Sequence, residues 1–224
     1  MKDKSFFASF FSKKEDFFFS EENKLKTFVF CALLMLSACM GTVAPRLTAQ
    51  DADDVRHVQD YLNATPHFEA RFVQSGAYGP GAGLVWLDRP GNLRIDYEGP
   101  GARLMVISRG RVRVLDRQTG ALTTMALSRT PLGILLAPSI DLSGPVTVAA
   151  VGHAAGGLQV TLQKTAAPGQ GSLTLYLSQM PMQLQAVTVT DAYQRGSTLT
   201  LSDINTSPAL KPDLFAPPAG PTGS

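Results

Sequence analysis

The sequence predicts a mainly β fold, an antiparallel sheet with one apolar face, and three observations carry that expectation. The first is the stretch 84–97, L-V-W-L-D-R-P-G-N-L-R-I-D-Y, in which two apolar runs flank Asp88-Arg89-Pro90-Gly91-Asn92. In the second run Leu93, Ile95 and Tyr97 fall on one side and Arg94 and Asp96 on the other, the period of a half-buried strand. Pro-Gly between the runs marks a hairpin turn. The second observation is the return of this alternation in L-Q-V-T-L at 158–162 and L-T-L-Y-L at 173–177, with Leu/Val on one face and Thr/Gln/Tyr on the other. The third is spacing: short strands recur between turns rich in Gly, Pro and Gln, the signature of an antiparallel all-β fold.

In chain order, residues 1–49 read as an N-terminal extension and signal peptide. Residues 1–23 are rich in Phe among lysines and acids. Lys24 and Lys26 then precede an apolar run at 27–38, the pattern of a secretory signal, too short for a membrane-spanning helix of ~20 apolar residues. A buried core helix is the alternative. Leu36-Ser37-Ala38-Cys39 resembles a bacterial lipobox, which would make Cys39 an acylated first residue; cleavage after Ala44 or Ala49 is the competing outcome. Residues 50–218 form the β domain, and 219–224 are expected to be a disordered tail.

Within the domain, Asp51, Asp53 and Asp54 precede Val55, Val58, Tyr61 and Leu62, an amphipathic helix with acids at its N-terminus that ends before Pro66. Residues 67–74 form a strand with Phe68, Ala70 and Phe72 on one face. The Gly-rich 76–83 leads into the hairpin; its G-P-G-A-G has no Lys-Ser/Thr or helix behind it, so a hairpin loop is read rather than a phosphate loop. Strands follow at 104–107 and 112–115 around an Arg109-Gly110 turn, then at 122–127. Pro131 and Pro138 bracket a short apolar helix. Being apolar nearly all round, it must lie against apolar surface. The remaining strands are 146–151, 158–162, 173–177, 184–190 and 198–201, about ten in all. Leu214-Phe215 makes an apolar anchor in the tail at 210–218.

Composition narrows the function classes. The chain is 44% hydrophobic and 17% charged. The first fifty residues hold 7 of its 20 Lys+Arg and 5 of its 18 Asp+Glu, leaving 13 of each and a formally neutral domain. It has no basic footprint for nucleic acid and no polybasic patch for anionic lipid. Both cysteines, Cys31 and Cys39, lie outside the domain, which excludes disulfides, Cys-based zinc sites and Cys nucleophiles there. His57, His67 and His153 fall in different elements, and no catalytic motif is present. Asp88, Asp96 and Glu98 are read as solvated carboxylates. No enzyme, cofactor or metal is expected. What remains is an apolar sheet face that two short helices hardly fill: either a packed sandwich or barrel, or an apolar cavity for an apolar ligand.

H-F-E-A-R-F-V-Q at 67–74, the hairpin at 85–97, T-P-L-G-I-L-L-A at 130–137 and the terminal L-F-A-P-P together resemble the outer-membrane lipoprotein carrier family, LolA, over residues 52–218. The resemblance implies a strongly curved, unclosed antiparallel β-barrel with short helices as a lid. It implies a monomeric periplasmic chaperone that shields lipoprotein acyl chains. Lipidated cargo would arrive from an inner-membrane ABC exporter and pass to an outer-membrane acceptor. Arg89 matches the family arginine that bonds backbone carbonyls of the lid helices, and is paired with the 130–137 helix as a latch. Pro131, Leu132, Ile134, Leu135 and Leu136 are the matching lid residues. Trp86, Leu93 and Ile95 match hairpin positions facing the cavity. Phe68, Phe72, Leu84, Tyr97, Leu104 and Val106 complete the expected acyl-chain lining. The lipobox at Cys39 departs from a soluble carrier and leaves open an anchored acceptor, LolB-like, or a dual carrier and acceptor.

Overall fold

The computed structural model describes residues 47–99, 102–154, 157–211 and 213–219. The signal-peptide and Cys39 readings, and residues 220–224 of the tail, lie outside those residues.

One α-helix, α1 (Ala49–Ala64), opens the described chain. Thr48 starts it with a capping box: its hydroxyl accepts from the Asp51 amide at 3.1 Å, and the Asp51 carboxylate accepts from the Thr48 amide at 2.8 Å. The bonds that the Asp51 carboxylate accepts from the Thr48 amide and hydroxyl hold it below its ordinary value. Val58 and Leu62, one helical turn apart, are buried. The helix stops two residues short of Pro66, as expected.

Eleven strands follow: β1 (His67–Gly76), β2 (Gly81–Asp88), β3 (Asn92–Tyr97), β4 (Arg103–Ser108), β5 (Arg111–Asp116), β6 (Leu122–Ala126), β7 (Val146–Ala154), β8 (Gly157–Lys164), β9 (Ser172–Gln179), β10 (Met182–Thr190) and β11 (Gly196–Asn205). They form a single strongly curved sheet in the order β6-β5-β4-β3-β2-β1-β11-β10-β9-β8-β7. Every pairing is antiparallel. β6 and β7 are the edges and do not pair, so the barrel stays open. Bulges in β7, β10 and β11 interrupt the register and add bend. Side chains alternate between the faces as the sequence predicts: Leu158, Val160 and Leu162 with Leu173, Leu175 and Leu177 are buried on the concave side. The hydroxyls of Thr161 and Thr174 meet at 3.1 Å on the other side.

Two local expectations are corrected. The Gly-rich 76–83 is not all loop: β1 runs to Gly76 and β2 begins at Gly81. Gly83 is a strand residue because β3 passes so close that a Cβ there would lie 2.0 Å from the Asp96 carbonyl oxygen. The apolar segment after Thr130 is not a regular helix. It forms a 3₁₀ turn at Pro131–Ile134, preceded by another at Leu127–Arg129; the six residues between Pro131 and Pro138, interrupted by Gly133, leave little room for an α-helical ladder. This connection runs from one open edge to the other: the Leu127 amide donates to the Gly110 carbonyl at 2.9 Å, extending the β5–β6 ladder, the Thr165 amide donates to the Pro145 carbonyl at 3.1 Å, extending the β7–β8 ladder, and Lys164 Nζ of β8 reaches across to donate to the Ser128 carbonyl at 2.5 Å.

Candidate apolar binding cavity

α1 lies against the concave face and is tied down along its length. Near its N-terminus His153 of β7 sets Nε2 at 2.8 Å from Asp54 Oδ2. In its middle the Tyr61 hydroxyl accepts from the Leu184 amide at 3.0 Å, and Gln59 Oε1 accepts from the Leu142 amide at 2.9 Å. The Asn63 amide group both donates to and accepts from the Ile140 backbone, each at 2.9 Å. Helix and connection therefore form one roof.

At the C-terminus of α1 the roof meets the β2–β3 hairpin. The Arg89 guanidinium donates to the Leu62 carbonyl, to the Thr65 carbonyl at 3.1 Å and to Asn63 Oδ1 at 3.5 Å. The carbonyls at a helix end lack partners within the helix and carry its negative dipole end, so a cation with a fork of donors is well suited to them. Partial burial lowers the Arg89 pKa from its ordinary value, yet a guanidinium stays charged. The hairpin backbone adds two bonds, the Arg89 amide to the Pro66 carbonyl at 2.9 Å and the Gly91 amide to the Leu136 carbonyl at 3.0 Å.

Beneath the roof is an apolar void of about 90 Å³, with a smaller one of about 20 Å³ beside Arg89. Phe68, Leu87, Leu135, Leu184 and Leu201 line both. The larger continues along Val85, Leu93, Ile95, Met105 and Val112 and ends, at the strand ends remote from Arg89, against Gln74, Tyr78, Tyr97 and Ser197. The resting void is a fraction of the ~300–1,000 Å³ usual for a small-molecule pocket. Among the described residues no cluster of acids, His or Cys is suited to hold a metal ion.

Residues 63–218 match the family described as outer membrane lipoprotein carrier protein LolA. The chain belongs to the LolA family. Solved structures resemble it remotely. An uncharacterized conserved protein of Thermus thermophilus is 12% identical, with 74% of this chain and 93% of that chain covered and a TM-score of 0.42. The lipoprotein LppX of Mycobacterium tuberculosis is 9% identical over 71% and 97%, with a TM-score of 0.41. A LolA superfamily protein of Nitrosomonas europaea is 10% identical over 70% and 97%, with a TM-score of 0.37. The comparison with curated proteins gave no match.

Within this LolA-family chain, the residues named from the sequence divide by strand parity. Phe68, Leu93, Ile95 and Tyr97 line the void, and Leu132 and Leu135 roof it. Pro131, Ile134 and Leu136 are buried in the same roof segment. Phe72 is on the concave side but behind the void, its ring edge-on to Tyr97 at 5.1 Å. Leu84, Trp86, Leu104 and Val106 are corrected: all four point to the convex face. Val85 and Leu87, opposite Ile95 and Leu93, hold the inward positions of β2. Trp86 lies opposite Arg94, whose guanidinium sits 5.9 Å from its ring. Leu104 and Val106 are buried outside the cavity, next to Asp96, Arg94 and Arg113. There Arg94 donates to the Leu214 carbonyl at 3.1 Å, fixing the C-terminal segment. Arg89 does bond backbone carbonyls of a roof helix, as expected, but its pairing with the 130–137 segment is corrected. Its partners belong to α1, while the 130–137 segment is met by the hairpin backbone through Gly91. Gln74 was legible as a polar residue in the inward register of Phe68, Ala70 and Phe72; Met105, Val112, Leu184 and Ser197 carried no signal of their own.

Proposed function

We propose that this chain is a periplasmic carrier that shields the acyl chains of lipoproteins in the cavity, taking cargo from an inner-membrane exporter and passing it to the outer membrane. The observation that supports this reading is the hydrogen-bonded junction of Arg89 with the end of α1 over an apolar void too small for an acyl chain. Cargo enters only if the roof lifts. Freeing its Arg89 end breaks two guanidinium–carbonyl bonds, each worth about 1.5–3 kcal/mol. That cost is offset by burying roughly four to eight methylenes at ~0.8 kcal/mol each. A longer acyl chain therefore opens the roof with free energy to spare, and the re-forming bonds favour its release. Affinity stays moderate, as a carrier requires. In reconstituted transfer, Arg89→Leu is expected to retain lipidated cargo and hand it on poorly; wild-type transfer by that variant would sink the latch.

A second reading rests on Leu36-Ser37-Ala38-Cys39: an anchored acceptor, or a dual carrier and acceptor, lipidated at Cys39. Mass spectrometry of the mature N-terminus separates the two. A diacylglyceryl-Cys39 start supports the anchored protein, and a start near Gln50 the soluble one.

A further inference from the structure

The cavity is apolar along most of its length and polar at one end. That end lies where β1 finishes and β11 begins, remote from Arg89. Gln74 projects there although it sits in the inward register of Phe68, Ala70 and Phe72, and only 2% of it is exposed. Its Oε1 accepts from the Tyr97 hydroxyl at 2.6 Å, and its Nε2 donates to the Gly79 carbonyl at 3.0 Å. The Tyr78 hydroxyl is engaged with Asp191 at 2.5 Å. Ser197 differs. It stands opposite Gly76 on β1 and Val189 on β10, is 3% exposed and faces the void. Its hydroxyl has no hydrogen-bond partner within the protein. Among the described residues three other buried side-chain atoms share that state, on Arg94, Ser108 and Arg113, and none of those residues lines the cavity.

A buried hydroxyl without a partner is destabilising, and a plain hydrocarbon ligand would leave it so. Immediately outside this end stand two arginines on aromatic rings, Arg103 at 5.5 Å from the Tyr97 ring and Arg195 at 5.2 Å from that of Tyr78. Amphipathic rings beside cations suit the region where a lipid turns from chain to headgroup.

We infer that the Gln74–Tyr97–Ser197 end of the cavity is a polar subsite that takes an oxygen function of an acyl lipid, an ester carbonyl or a chain hydroxyl, with the Ser197 hydroxyl as its hydrogen-bonding partner. This rests on the acyl-chain reading of the cavity and adds selectivity to it: the preferred ligand is an oxygenated acyl lipid rather than a bare chain.

The test is displacement of bound cis-parinaric acid from the full domain. Dioctanoylglycerol is compared with its carbonyl-free dioctyl ether, and hydroxystearate with stearate, on wild type, Ser197→Ala and Ser197→Thr. The wild type is expected to prefer one oxygenated member of the two pairs by roughly tenfold, the worth of one hydrogen bond. That preference collapses in Ser197→Ala and persists in Ser197→Thr, which keeps the hydroxyl. A preference within the ester pair assigns the subsite to the headgroup ester, and one within the stearate pair to a chain hydroxyl. Equal affinities in wild type, or a preference that survives Ser197→Ala, would overturn the subsite while leaving the acyl cavity intact. If parinaric acid does not bind at all, the acyl-chain reading fails and the subsite falls with it.

Discussion

At the scale of single residues, the convex face holds the clearest electrostatic device outside the cavity. Asp96 accepts from Arg94 and Arg117, both at 2.7 Å. Burial alone would raise its pKa, but the two guanidiniums outweigh that and hold it below the ordinary carboxylate value. A carboxylate with a lowered native pKa stabilises the fold above its unfolded value and loses that contribution as pH falls through the native one. Asp96→Asn is thus expected to cost about 1.5–3 kcal/mol at neutral pH, the worth of a charged hydrogen bond. In urea unfolding the gap between variant and wild type should narrow as the pH is taken below 4. A gap that persists in acid would show that packing rather than charge is lost. Asp191 is built on the same logic. Burial raises its pKa, while bonds from Tyr78, Arg195 and the loop backbone bring it down.

At the scale of elements, α1 is the part whose stability bears on the cavity. It is held at one end by Arg89 and at the other by His153, and begins at the Thr48–Asp51 capping box. Thr48→Ala removes the cap acceptor and is expected to cost about 1 kcal/mol. The loss should register as faster amide hydrogen exchange confined to the first turns of α1; uniform acceleration across the sheet would argue against a local cap effect. The 3₁₀ segment makes a contrasting element. Its own hydrogen bonds are few, and its position comes from burying Pro131, Ile134, Leu135 and Leu136 and from the backbone bond between Gly91 and Leu136.

At the scale of the molecule, the sheet is continuous because β1 pairs with both β2 and β11, joining two meanders at its centre. Anything that parts β1, β2 and β3 also opens the cavity wall. Gly83→Ala places a Cβ where the Asp96 carbonyl already stands. The substitution is expected to destabilise by about 2 kcal/mol or more. In a domain of this size that lowers Tm by about 4–8 °C. An unchanged Tm would mean that β3 yields without cost.

The alternation of Leu93, Ile95 and Tyr97, the turn glycines and prolines, and the apolar spacing of Val58 and Leu62 were sufficient to place the helix, most strands and the antiparallel sheet, because period and turn chemistry are local. Where a segment is apolar on both faces, period alone gives no orientation: in Leu84-Val85-Trp86-Leu87 and Leu104-Met105-Val106-Ile107, tertiary structure turned Val85, Leu87, Met105 and Ile107 inward. The outward partners were then covered on the convex face by arginines and the C-terminal segment. The sequence by itself determined that one face of a long sheet leaves water and placed Arg89 in a hairpin turn; the family resemblance alone gave that arginine a role. Only the tertiary structure decided that Arg89 binds the end of α1 rather than the 130–137 segment, and that Gln74, Tyr97 and Ser197 meet at one end of the void. Those contacts join residues 23 to more than 100 positions apart, and sequence spacing carries no record of such distances once the chain has curved back on itself.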